Sequence, residues 1–69
     1  MNFDYRHMCV EQVHPGDVVR YPRDERDHKV RIAHTITTEE GPRAHLIFTD
    51  GHQRITPPGL RVDVKVHQT

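Results

Sequence analysis

Seven of the 69 residues are histidine, and imidazole is the side chain that most readily binds transition metals or moves protons near neutral pH. Zinc is held by three or four converging protein ligands, usually some of them at short sequence spacing. His7, His14, His28, His34, His45, His52 and His67 are instead dispersed, with no His-x-His or His-x-x-x-His pair. His45 and His52 share the outer face of one expected hairpin, but not directly opposite each other, and two imidazoles alone bind a metal weakly. No metal site and no cofactor is expected. His34 falls on the apolar phase of its strand, across from Leu46, and reads as a buried histidine with one nitrogen satisfied.

The nucleophile inventory is equally thin. Cys9 is the single cysteine and serine is absent. Nothing around Cys9 supplies a base or an oxyanion site, so it reads as a small inert thiol. Paired carboxylates occur only as Asp24-Glu25 in a charged segment and Glu39-Glu40 in a turn, both expected to be solvated. Gly41, Gly51 and Gly59 sit at turns and form no phosphate loop. The expectation is a protein that binds and does not catalyse.

The elements that must carry these residues are short. A chain of this length makes one domain, and a domain so small buries only about 60% of the surface its unfolded chain exposes. Hydrophobic residues are 33% of the chain, so the core is lean. The aromatic residues are Phe3, Tyr5, Tyr21 and Phe48, with no tryptophan. β-Branched apolar residues cluster in alternating runs, which argues for a folded β domain. Met1 leads to the expectation of a small complete reading frame. One cysteine allows no internal disulfide and fits a reducing, cytoplasmic compartment. No apolar run is long enough for a transmembrane helix, so no membrane partner is expected. Acids and bases balance at ten each, so no global field points to nucleic acid.

Residues 1–13 read as an N-terminal arm or an extra element (strand or helical turn), and residues 14–69 as the β domain. His14-Pro15-Gly16-Asp17 is a turn signal. Val18–Tyr21 follows as a strand with Val19 and Tyr21 on one face, and Pro22 stops it. Residues 22–28 form a charged loop with nothing to bury. Residues 29–38 alternate, with Val30, Ile32, His34 and Ile36 on one face. Glu39-Glu40-Gly41 reads as a hairpin loop. Residues 43–49 alternate again, with Ala44, Leu46 and Phe48 inward. Asp50-Gly51 favours a two-residue type I′ turn, which sets Leu46 opposite Ile55. A strand over 52–56 ends at Pro57-Pro58-Gly59. Val62, Val64 and Val66 mark the last strand. The expected core is Val30, Ile32, Ile36, Leu46, Phe48, Ile55, Val62 and Val64, with Arg31, Arg43, Arg54 and Lys65 exposed.

Five antiparallel strands, a long loop after the first, two tight hairpins and a proline-rich turn before the last resemble the SH3-like small barrel over about residues 15–67. The resemblance implies an all-β, five-stranded antiparallel fold. The aromatic signature and tryptophan of polyproline-binding SH3 domains are missing, so it implies no polyproline ligand. The Pro15-Gly16-Asp17-Val18-Val19-Arg20 opening and the Phe48-Thr49-Asp50-Gly51 hairpin also resemble short uncharacterised proteins of actinobacteria and their phages, which bring no known activity.

In this register the outward positions of the middle strands include Lys29, Arg31, Arg43, His45, Ile47, His52 and Arg54, and none is acidic. Two functions follow. The first is a protein-interaction module regulating a larger host or phage protein through the 22–28 loop, the exposed Ile47 or a sheet edge. The second is nucleic-acid binding, with the basic residues of this face on the phosphate backbone. Fold alone does not choose between them, and neither the partner nor the oligomeric state follows from these residues.

Overall fold

The computed structural model describes residues 4–66; Phe3 and His67 lie outside the described residues. Six strands form one antiparallel sheet: β1 Asp4–Cys9, β2 Val18–Arg20, β3 His28–Thr38, β4 Gly41–Phe48, β5 Gln53–Thr56 and β6 Arg61–Val66. Their order across the sheet is β1-β6-β2-β3-β4-β5. The N-terminal element is therefore a sixth strand, β1, laid along β6 from Asp4 opposite Val66 to Cys9 opposite Arg61. A single 3-10 turn, Val10–Gln12, follows it. The Val10 N–H donates to the Leu60 carbonyl at 2.8 Å, which ties this turn to the proline-rich bend before β6.

The sheet folds over one face. Val19 of β2, Val30 of β3, Ala44, Leu46 and Phe48 of β4, and Val62 and Val64 of β6 are buried together with Val10, Val13 and Tyr21. Leu46 and Phe48 are fully buried, and burying a side chain of that size stabilises the fold by about 1.5–3 kcal/mol. Met8, Ala33 and Leu60 pack at the margin. Five of the eight expected core residues, Val30, Leu46, Phe48, Val62 and Val64, lie here.

The other three do not, and the reason is register. Val30 pairs with Phe48, but Ile32 pairs with Ile47, so one extra residue, Arg31, is inserted as a β-bulge. A bulge inverts the side-chain phase downstream and bends the strand. Beyond it Ala33 takes the inward phase opposite Leu46, and Ile32, His34 and Ile36 turn outward. His34 lies opposite His45, not Leu46. The bulge thus spares the core an imidazole, at the expense of an exposed Ile32 and a half-buried Ile36.

The second shift is at the β4–β5 hairpin. The Gly51 N–H donates to the Phe48 carbonyl, and the Phe48 N–H to the His52 carbonyl. Gly51 has φ of +92°, while Asp50 is not in the left-handed region. This is a three-residue loop, Thr49-Asp50-Gly51, with Gly51 as the left-handed residue, and not the two-residue type I′ turn, which needs positive φ at both positions. Leu46 therefore faces Arg54, and Ile55 faces His45. Ile55 is exposed, and Arg54 sits on the core side of the sheet edge. Arg43 and Lys65, expected to be exposed, are half-buried by ion pairs to Glu40 and Asp27. The β3–β4 turn is also shorter than expected: Thr38 pairs with Gly41 around Glu39-Glu40, and the Glu40 N–H donates to the Thr38 hydroxyl.

Candidate interaction surface

The two register shifts concentrate apolar side chains on the outward face of β3, β4 and β5. The chain has four isoleucines, Ile32, Ile36, Ile47 and Ile55, and all four take this face. Ile32 is 40% exposed and Ile55 54%. Ile32 lies across from Ile47, which lies across from Gln53. In the next row His34 lies across from His45, which lies across from Ile55. Ile36 and Arg43 close the face toward the hairpin tip.

A polar chain runs through the middle of this apolar face. His34 Nε2 and His45 Nδ1 are 2.7 Å apart, and the two rings lie 4.7 Å apart at 34°. His45 Nε2 lies 2.6 Å from Gln53 Oε1. With Oε1 as acceptor, His45 carries its proton on Nε2 and its Nδ1 accepts from His34 Nε2–H. The chain holds Gln53 and both rings against the sheet, between the isoleucines. Sequence reasoning missed this pairing because the two histidines are remote in sequence and the bulge alone brings them into line.

The seven residues expected to form one binding face are divided. Lys29, Arg43, His45 and Ile47 point outward, with Ile47, expected to be exposed, half-buried. Arg31 occupies the bulge and is exposed. His52 lies beyond the β4–β5 turn, where both its N–H and its ring meet Asp50. Arg54 is on the other side of the sheet, with its guanidinium carbon 4.5 Å from the centre of the Tyr21 ring and an ion pair to Asp24. Arg43 is paired with Glu40 and donates to the Pro42 carbonyl at 2.8 Å. No continuous basic sheet face results.

Charge is organised instead around two aspartates of the 22–28 loop. Asp27 reaches the outer side of the other half-sheet, where Tyr5, Arg20 and Lys65 converge on it, and Arg20 stacks on Tyr5. The Lys65 ammonium, ahead of the Tyr5 hydroxyl and Arg20, holds the Asp27 carboxyl below its ordinary range against the effect of partial burial. Lys65 is raised in turn, first by its hydrogen bond to Asp27. His7 pairs with Asp63 nearby. Asp24 faces the opposite way and takes His28, Arg54 and the Arg26 N–H. Its carboxyl is lowered chiefly by the His28 ring and next by that N–H.

Cys9 is a half-buried free thiol at the end of β1. Among the described residues no group of His, Cys, Asp or Glu converges in the manner of a metal site, and no helix is long and apolar enough to cross a membrane. No protein-family model, curated protein or solved structure matches the chain.

Proposed function

We propose that this protein is a non-catalytic protein-interaction module of the cytoplasm, an SH3-like small barrel extended by one N-terminal strand. The strand order β6-β2-β3-β4-β5 supports that fold reading, as do the two hairpins and the bulged long strand. The observation that carries the function is the placement of all four isoleucines on one outward sheet face while the core is built mainly from valines. Ile36 and Ile47 are half-buried, but Ile32 and Ile55 are exposed, and a small domain with a lean core gains nothing in stability from apolar surface left in water. Apolar side chains gathered on one outward face, here around a polar centre of His34, His45 and Gln53, are a mark of a docking surface.

The chemistry of the face describes its partner. Isoleucines flank a polar middle of His34, His45 and Gln53, which offers hydrogen bonds there. Of the charges at its margin, Arg31 is exposed and Arg43 is held by Glu40. A protein surface with an apolar ridge and an acidic flank fits. The phosphate-backbone alternative draws no support from this face, because Arg54 is on the other side of the sheet.

The test is an Ile32→Thr/Ile55→Thr double variant, since threonine keeps the β-branched shape that strands favour. Capture of a specific protein from host extract by the parent, and its loss with the folded variant, is the expected result. Sedimentation of parent and variant separates a second copy of this chain from a foreign partner. Equal capture by both proteins would overturn the assignment of this face.

A further inference from the structure

The chain contains the same turn twice. His14-Pro15-Gly16-Asp17 and Tyr21-Pro22-Arg23-Asp24 both place proline second and aspartate fourth. Both close with the aspartate N–H donating to the first residue's carbonyl at 3.1 Å. This turn needs a third residue with positive φ, which is why glycine is favoured there. Gly16 supplies it at φ +96°, but the second turn has Arg23 at φ +66°. Among the described residues Arg23 is the only residue other than glycine in that region. A residue other than glycine held there carries backbone strain, and such residues cluster at functional sites.

Arg23 lines an open depression of about 710 Å³ together with Asp24, Arg26, His28, His52 and Arg54. That volume lies within the usual range for small-ligand clefts, about 300–1,000 Å³. The loop sorts its charges. Asp27 is drawn to the far side by Tyr5, Arg20 and Lys65, and Glu25 does not line the depression. Among the described residues the one lining carboxylate, Asp24, is committed to His28, Arg54 and a backbone N–H. Asp50, beside the rim, is committed to His52. Among the described residues, the guanidiniums of Arg23 and Arg26 meet no ion-pair or hydrogen-bond partner.

We propose that this depression is an anion site for a phosphate group, with Arg23 and Arg26 as its principal ligands and Arg54 as support. A carboxylate is satisfied by one planar fork, whereas a phosphate group accepts donors from several directions. Here the donors come from the loop and from β5. The site lies apart from the isoleucine face and is independent of it. Its phosphate belongs either to a free phosphorylated molecule or to a nucleic-acid backbone.

The test is titration of the full chain with pyrophosphate, with a short oligothymidylate and with polyglutamate, followed by amide chemical shifts. Pyrophosphate or the oligonucleotide is expected to shift residues of the 22–28 loop and of β5. Tighter oligonucleotide binding with a steep salt slope assigns the phosphate to a nucleic-acid backbone; pyrophosphate binding alone assigns it to a free molecule. Arg23→Gly relieves the strained turn, so its Tm should hold or rise by a few degrees while affinity falls roughly tenfold, the scale of one lost charge-assisted contact. Arg26→Gln should lose affinity similarly, and Arg31→Gln, outside the site, should not. The proposal is overturned if both phosphate probes bind more weakly than about 1 mM, if polyglutamate binds as well as they do, or if Arg23→Gly and Arg26→Gln keep the parent's affinity.

Discussion

Arg54 lies over Tyr21, its guanidinium carbon 4.5 Å from the ring centroid, and so covers one of the buried residues at the open edge of the core. Beneath it the Tyr21 hydroxyl is buried and meets no hydrogen-bond partner among the described residues. Burial pushes the Tyr21 phenol up to about 12, with Arg54 acting in the opposite direction. Arg54 thus has a structural duty, which follows from a register that puts it opposite Leu46.

Tyr21→Phe removes the unpartnered hydroxyl and keeps the ring. Stability should stay level or rise, by about 1–3 kcal/mol if the full desolvation cost is recovered. The same change should flatten the alkaline limb. The unfolded phenol ionises near pH 10 and the folded one near 12, so its contribution is whole below the former and is lost as pH rises through the latter. Thermal melts of both proteins between about pH 9 and 12 check this.

Arg54→Glu should destabilise the domain by about 1–3 kcal/mol. It sets a carboxylate against the Tyr21 ring face and beside Asp24, where a like charge is repelled. Arg43→Glu, at the hairpin tip, loses one surface ion pair and should cost about 0–1 kcal/mol. Urea unfolding of the two single variants distinguishes them; equal midpoints would contradict the placement of Arg54.

Gly51→Val forces a β-branched residue to a φ of +92°. Nothing lies within 4 Å of the added Cβ, so the expected loss of about 1–3 kcal/mol is backbone strain alone. A thermal midpoint matching the parent would mean that the turn is not built on a left-handed residue.

The acid limb should depend on Asp27. Its carboxyl is held below the ordinary range by Lys65 first, then by Tyr5 and Arg20. A lowered folded pKa contributes stability above the unfolded value, near 3.9, and that contribution is lost as pH falls through the folded one. Asp27→Asn should cost about 1 kcal/mol or less at neutral pH, because the site is partly solvated, and should make the melting temperature less steep in acid. A parallel acid limb in both proteins would show that the Tyr5, Arg20 and Lys65 contacts carry no weight.

The amino-acid sequence by itself determined the all-β class, the approximate ends of β2 to β6 and the turn positions. Those are local properties: period-two alternation, β-branched residues, and Gly, Pro and Asp at breaks. It also determined the inward phase of β4 and β6, because Ala44, Leu46, Phe48, Val62 and Val64 alternate without interruption to their strand ends. Only the tertiary structure decided the faces of β3 beyond Arg31 and of β5. A bulge at Arg31 and one extra loop residue before Gly51 each move a strand by one position, and a one-residue move exchanges its faces. No local signal marks either event, since isoleucine suits both faces of a strand and Asp-Gly suits both turn types. What selects them is packing of the whole sheet: curvature must close over Leu46 and Phe48, His34 must leave the core, and Arg54 must reach Tyr21. The isoleucine face and the pairing of His34 with His45 exist because those long-range demands outweighed the local pattern.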